Sequence, residues 1–251
     1  MKNQKKIWIT GASSGIGKAL TVKFANEGWC VAASARRENL LIDLSKNNSN
    51  IHSFPLDVND EPRVKKTFQN IIEKFNSLDL CVFCTGVHDP DSEKKLNIKK
   101  IREIMETNFF GTLNCIMAVN SFFREKKDGH IAIVSSVAGY RGLPAASGYC
   151  ASKAALTSLA ESLYFDFKRK NVKVSLISPG FIKTPMTEKN TFPMPMIKSP
   201  EYAAEKIFIG LTKRNSFEIH FPKSFTILLK LLKIMPNWLF FWLVERGVKR
   251  F

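Results

Sequence analysis

The chain has no window of 18 uncharged apolar residues, so it offers no ordinary bilayer-spanning helix. It also lacks paired cysteines. Cys30, Cys81, Cys84, Cys115 and Cys150 are scattered, odd in number and without CxxC or Cys/His spacing. That pattern argues against a structural zinc site and a disulfide framework, so no metal is expected and a reducing cytoplasm is. No internal repeat and no long Gly/Ser- or Pro-rich linker divides the 251 residues. Acids are the scarcer charge: 22 Asp plus Glu stand against 38 Lys plus Arg, a net of +16. That excess predicts attraction to phosphates, nucleic acid, anionic lipid or an acidic substrate. Nucleic acid is not the expected partner, because the charge is dispersed and no recognition motif accompanies it.

Apolar residues make up 45% of the chain, enough to bury a sizeable core. Short apolar runs alternate with stretches of helical spacing. Strands are expected over residues 7–10, 30–35, 51–56, 80–84, 131–135, 172–177 and 217–221. Helices are expected over 16–27, 38–46, 64–75, 98–126, 149–170 and 200–213. Strand–helix alternation requires crossover connections, hence a parallel sheet with helices on both faces. Ligands of such sheets bind at the carboxyl ends of the strands, so the loops there are where chemistry is to be sought.

The two ends differ in kind. Met1 to Lys6 carries the charge of a signal-peptide start. The apolar stretch after it stops at Thr10-Gly11, too short for a signal core, and reads as a lead into the first strand. The last 30 residues, from Pro222, hold six Lys/Arg and one Glu, a net of 6 − 1 = +5. They also hold two apolar runs separated by Pro236. Apolar aromatics beside a basic fringe suit an in-plane anchor on an anionic membrane surface. The alternative is a terminal helix pair that covers the substrate cleft or a partner subunit. Residues 1–222 are therefore expected to form the catalytic domain, and 223–251 an extension packed on that domain or on a membrane.

The first strand-to-helix loop reads Thr10-Gly11-Ala12-Ser13-Ser14-Gly15-Ile16-Gly17. Glycines let the backbone turn sharply and approach a pyrophosphate, and the following helix offers unpaired N–H groups to the anion. Its TGxxxGxG spacing resembles the cofactor loop of the short-chain dehydrogenase/reductase family. The resemblance implies a Rossmann-type, doubly wound parallel sheet of about seven strands in an α/β/α sandwich. It gives Gly11, Ser13, Ser14, Gly15, Ile16 and Gly17 to the dinucleotide.

The second strand ends Ser34-Ala35-Arg36-Arg37, and Ala35 falls where the family's NAD enzymes carry Asp. With no acid competing, the guanidinium groups of Arg36 and Arg37 suit a 2′-phosphate, so NADP(H) is the expected cofactor. Asp57 and Val58 close the third strand. The resemblance places them beside the adenine, although Asp57 equally fits a turn or cap.

Ser136 ends the fifth strand, and Tyr149 and Lys153 share one face of the next helix. Reducing a carbonyl leaves an alkoxide that needs a proton, and nearby positive charge favours tyrosinate as the donor's product. Ser136 can donate to the substrate oxygen. This Ser-x12-Tyr-x3-Lys spacing is the same family's signature. By resemblance, Asn108 is the family's helix Asn, whose carbonyl holds a water that links Lys to solvent. By resemblance too, Pro179, Gly180, Ile182 and Thr184 form the turn that meets the nicotinamide carboxamide. One segment departs: Phe83-Cys84-Thr85-Gly86 stands where the family usually has Asn-Asn-Ala-Gly, and only Gly86 is kept. Cys84 reads either as a reactive thiol near the site or as a buried inert one.

The segment from Pro185 to Ile197 corresponds to the family's substrate lid. Three Met and one Phe make it an adaptable apolar wall without an Arg clamp, although a Met-rich loop is also ordinary core filler. The expected activity is interconversion of a carbonyl and an alcohol on a small lipid-, sterol- or retinoid-like substrate. The alternatives are a 3-oxoacyl-type ketoreductase or a non-catalytic NADP-binding protein. The family's habit also implies a homodimer or homotetramer built on the helices over 98–126 and 149–170.

Overall fold

Trp8 and its neighbours show how the strands are used. Ile7 and Ile9 point to one face of a sheet and Trp8 to the other, and all three are fully buried. A strand buried on both faces must be covered on both, which is the signature of a parallel α/β sheet. The computed structural model describes residues 4–90, 95–190 and 192–248. Seven strands run parallel in the order β3-β2-β1-β4-β5-β6-β7. They are β1 (Lys6–Thr10), β2 (Cys30–Ser34), β3 (Ile51–Ser53), β4 (Leu80–Phe83), β5 (His130–Val134), β6 (Lys173–Pro179) and β7 (Glu218–Phe221). The order reverses at β1, where Ile7 pairs with Val31 of β2 on one side and Leu80 of β4 on the other.

Helices α1 (Gly15–Asn26), α2 (Glu38–Asn47) and α7 (Pro200–Ile209) cover the face holding Ile7 and Ile9. Their contact centres on Phe24, whose ring lies 5.0 Å from that of Phe208 at 68°. Helices α3 (Glu61–Phe75), α5 (Gly111–Lys126) and α6 (Ser147–Lys168) cover the Trp8 face. A further helix, α4 (Ile98–Met105), leads into α5, and α8 (Lys223–Ile234) and α9 (Asn237–Val248) follow β7. No helix among the described residues is long and apolar enough to cross a membrane.

Several boundaries differ from the sequence reading. The third strand stops at Ser53 rather than residue 56, although Phe54 and Leu56 still donate to the carbonyls of Ala33 and Ala35 at 2.9 and 3.0 Å. Helix α3 starts three residues early because Asp60 caps it, accepting from the N–H of Arg63 at 3.0 Å. The helix expected over 98–126 is not continuous α. A π turn, Glu106–Phe110, separates α4 from α5. The helix expected over 200–213 likewise leaves the α form, passing into a second π turn at Gly210–Arg214. Thr191 of the lid and residues 249–251 of the extension lie outside the described residues.

Candidate active site

The loops at the carboxyl ends of β1, β2, β4, β5 and β6 line one cleft. Its floor is the loop between β1 and α1. Gly11 sits at φ +70°, a left-handed conformation that glycine tolerates. A Cβ on Gly17 would stand 2.2 Å from the Gly11 carbonyl oxygen, so the loop closes only with glycine there. Ser13, Ser14, Gly15 and Ile16 line the same cleft. Ser14 caps α1 without a side-chain hydrogen bond to the helix's own N–H groups, which leaves the first of them to an incoming anion.

Arg37 closes this end. Its Nε and Nη2 donate to Ser13 Oγ at 3.2 and 2.8 Å, and Nη2 also donates to Ser14 Oγ at 2.8 Å. Arg36 lines the cleft as well. Ala35 lines the same stretch, where an acid would repel a phosphate. Two hydroxyls, a guanidinium and free helix N–H groups form a donor set with the chemistry of a phosphate site, so the residues present fit a phosphorylated dinucleotide. Asp57 and Val58 line the cleft beside them. Asp57 Oδ1 also accepts from the N–H of Asn59 at 3.1 Å, the local turn that its other reading expected.

At the other end Ser136, Tyr149 and Lys153 converge as the spacing predicts, all on the cleft wall. Ser136 Oγ accepts from the N–H of Ala138 at 3.1 Å, which fixes the hydroxyl and leaves its proton to donate. Lys153 Nζ lies 5.7 Å from the centre of the Tyr149 ring and donates to the Val134 carbonyl at 3.0 Å. Burial pushes the Lys153 ammonium down to about 8. Ser135, which the sequence reading passed over, donates to the Lys153 carbonyl at 2.8 Å and so anchors this turn of α6 to β5.

Asn108 is fully buried in the π turn. Its Oδ1 accepts from the N–H of Val87 at 2.7 Å, while Nδ2 donates to the Val87 carbonyl at 3.0 Å and to Ser152 Oγ at 3.0 Å. Its main-chain carbonyl accepts from the Thr112 hydroxyl at 2.8 Å. Gly86 brings these groups together: a Cβ there would stand 3.4 Å from Lys153 Nζ and 3.5 Å from Asn108 Oδ1.

The departure at Cys84 has a replacement tie. The Cys84 N–H donates to Thr10 Oγ1 at 3.1 Å, so a threonine on β1 bridges the central strands. Burial pushes the Cys84 thiol up to about 11, which supports the inert reading. His88 was missed entirely. Its ring centroid lies 4.5 Å from that of Tyr149, and its only signal is its place two residues beyond Gly86, in a loop after a strand.

Pro179, Gly180, Ile182 and Thr184 line the cleft after β6. A Cβ on Gly180 would stand 2.9 Å from a ring carbon of Phe225, so that glycine admits α8 as well as a ligand. The lid base, Pro185 and Met186, borders the same space.

Residues 5–195 match the family model described as short chain dehydrogenase. An uncharacterized oxidoreductase of Myxococcus xanthus is 34% identical over 236 residues, covering 92% of this chain and 93% of that protein. The 3-oxoacyl-[acyl-carrier-protein] reductase FabG of Thermotoga maritima is 29% identical over 223 residues, covering 83% of this chain and 91% of its own. Among solved structures, ElxO with NADP bound superposes with a TM-score of 0.78 at 25% identity, covering 86% of this chain and 97% of its own. A short-chain dehydrogenase from Streptomyces avermitilis shares the fold with a TM-score of 0.81 at 24% identity, covering 98% of each chain.

Proposed function

The chain belongs to the short-chain dehydrogenase family, and from that premise we propose an NADP(H)-dependent oxidoreductase that interconverts a carbonyl and an alcohol on an apolar substrate. The observation that carries this reading is the meeting of Ser136, Tyr149 and Lys153 in one cleft with the glycine loop. The cofactor preference is supported by Arg37 on Ser13 and Ser14, by the acid-free end of β2, and by ElxO, a neighbour with NADP bound. The apolar substrate is supported by Met186 on the cleft wall and by Phe192, Met196 and Ile197, exposed along the lid.

The glycine loop and Arg37 would hold the dinucleotide, which when bound would supply the hydride chemistry at the carbonyl carbon in either direction. The chain's own residues handle the oxygen. Ser136 donates a hydrogen bond to it and fixes its position. Tyr149 gives its phenolic proton to the oxygen as negative charge develops there. Lys153 makes that transfer easier, because a cation beside the ring stabilises the tyrosinate left behind. In oxidation the same groups run the proton in reverse.

A second reading, a 3-oxoacyl-type ketoreductase, is favoured by the likeness to FabG of Thermotoga maritima. Cys30, Cys81, Cys84 and Cys115 are free thiols, which supports a reducing, cytoplasmic setting. A homodimer or homotetramer through α5 and α6 is supported by the exposed Met117 and Phe165 on those helices.

The test is turnover of the purified chain with NADPH and NADH against aldehydes, ketones, sterols and 3-oxoacyl thioesters, beside Tyr149→Phe. The variant should lose at least about 100-fold in turnover while binding NADPH as before. Undiminished turnover in Tyr149→Phe overturns the reading. Turnover confined to thioesters transfers it to the ketoreductase, and no NADPH oxidation across the panel leaves a binding protein.

A further inference from the structure

Helices α8 and α9 are fastened to the domain from one side only. Arg141, five residues beyond Ser136, donates through Nη1 to the carbonyls of Leu232 and Met235 at 2.8 Å each, closing the end of α8. Its Nη2 also bonds the Asn237 side chain, and its guanidinium lies 4.0 Å from the ring centre of buried Phe240. Glu218 of β7 accepts from both Tyr140 and Lys230, tying α8 to the sheet edge.

The outer side carries the opposite chemistry. On α8, Ile227, Leu228, Leu231 and Ile234 recur at helical spacing and are exposed, Ile234 by 79%. On α9, Trp238, Phe241 and Trp242 share a face, with Trp238 exposed by 72%. Water-facing monomers rarely keep such a contiguous patch without using it. A hairpin whose task was to cover a soluble cleft would turn these residues inward.

We propose that the outer face of α8 and α9 docks in the plane of an anionic membrane surface, with the substrate lid at its rim. Each helix has 12 residues, about 18 Å long, too short to cross a hydrocarbon core but suited to lie along it. Trp238 and Trp242 have the ring chemistry favoured at the headgroup boundary. Lys223, Lys233 and Arg246 are exposed on the same two helices, and the sequence continues with Lys249 and Arg250. That fringe decides against a second copy, since two-fold pairing of this face would bring like charges together.

The lid joins the same surface. Phe225 of α8 lies 5.5 Å from the Phe181 ring, which in turn meets Phe192 at 6.0 Å, and Ser224 Oγ contacts Met196 Sδ at 3.4 Å. A bilayer against the hairpin therefore faces the lid, a direct route for an apolar substrate. This delivery step rests on the proposed activity, whereas the docking does not.

The test is sedimentation of the full chain with vesicles of phosphatidylcholine, alone or mixed with phosphatidylglycerol, at low and high salt. The chain should partition at least about tenfold better onto the anionic vesicles, with the advantage fading as salt screens it. Trp238→Ser/Phe241→Ser/Trp242→Ser should lose about tenfold or more of that binding and keep its circular dichroism and its turnover of water-soluble carbonyls. Lys233→Glu/Arg246→Glu should abolish the anionic preference. Equal binding to neutral vesicles, no binding to either, or a dimer that the triple variant dissociates would each overturn the proposal. Because sedimentation needs no turnover, an inactive chain that still binds anionic vesicles would sink only the enzymatic reading.

Discussion

Asn108 and Val87 exchange two hydrogen bonds, the side-chain amide of one pairing with both backbone groups of the other at 2.7 and 3.0 Å. The pair clips the loop after β4, which borders the cleft, onto the π turn between α4 and α5. Asn108→Ala leaves the half-buried N–H and C=O of Val87 without their partner. The expected cost is about 2–4 kcal/mol. A thermal melt should fall by roughly 5–15 °C. Asn108→Asp keeps one of the two bonds and should fall between. A melt for Asn108→Ala within a degree or so of the parent would show that the clip is not structural.

At the other end of the cleft, Arg37 rather than Arg36 holds the loop serines. A charge-assisted hydrogen bond to phosphate contributes about 1.5–3 kcal/mol. Arg37→Ala should therefore raise the dissociation constant for NADPH by about 10- to 100-fold and leave that for NADH nearly unchanged. Arg36→Ala, which removes no contact to the loop hydroxyls, should change it less. Titration of cofactor fluorescence checks both. Equal losses for the two nucleotides would mean that Arg37 braces the loop and does not choose the cofactor.

Lys153 imposes a cost on the fold. Burial takes its pKa to about 8, well below that of an exposed lysine. The unfolded chain holds the proton up to about pH 10.4. Below pH 8 both states are protonated and the folded state bears the full burden, about 3 kcal/mol. Between pH 8 and roughly 10.4 only the unfolded chain still binds the proton, so stability rises with pH and the burden fades. Lys153→Met should consequently melt higher than the parent at pH 7 and lose this pH dependence, while turnover collapses. In the parent, kcat/KM for reduction should decline above an apparent pKa near 8, a limb belonging to the Tyr149–Lys153 pair. A melt for Lys153→Met lower than the parent's at pH 7 would refute the burial argument.

The glycine loop and the Ser136/Tyr149/Lys153 set were legible because their chemistry demands fixed residue types at fixed spacing. The parallel sheet with helices on both faces followed from strand–helix alternation, whereas the strand order β3-β2-β1-β4-β5-β6-β7 came from the structure alone. The π turn at Glu106–Phe110 was not legible: it adds one residue to a helical turn without changing the apolar pattern that marks a helix. His88 and Arg141 were invisible for another reason. Each gains meaning only from a partner far along the chain, Phe240 for Arg141 and, for His88, the Tyr149 ring.

Cys84 lies where a reactive thiol would threaten the site, beside Lys153 and on the cleft wall. Two effects oppose each other there. Burial disfavours the thiolate, while the positive charge of Lys153 favours it, and burial is the larger, leaving the thiol at about 11. The thiolate is the nucleophile, so at pH 8 only about one molecule in a thousand carries it. Alkylation by iodoacetamide at that pH, followed by peptide mass spectrometry, should leave Cys84 intact in the folded chain and label it after denaturation. Lys153→Met removes the favouring charge and should slow labelling further. Rapid modification of Cys84 in the folded chain at pH 8 would mean that the lysine's charge outweighs burial, and turnover would then be open to inactivation by oxidants.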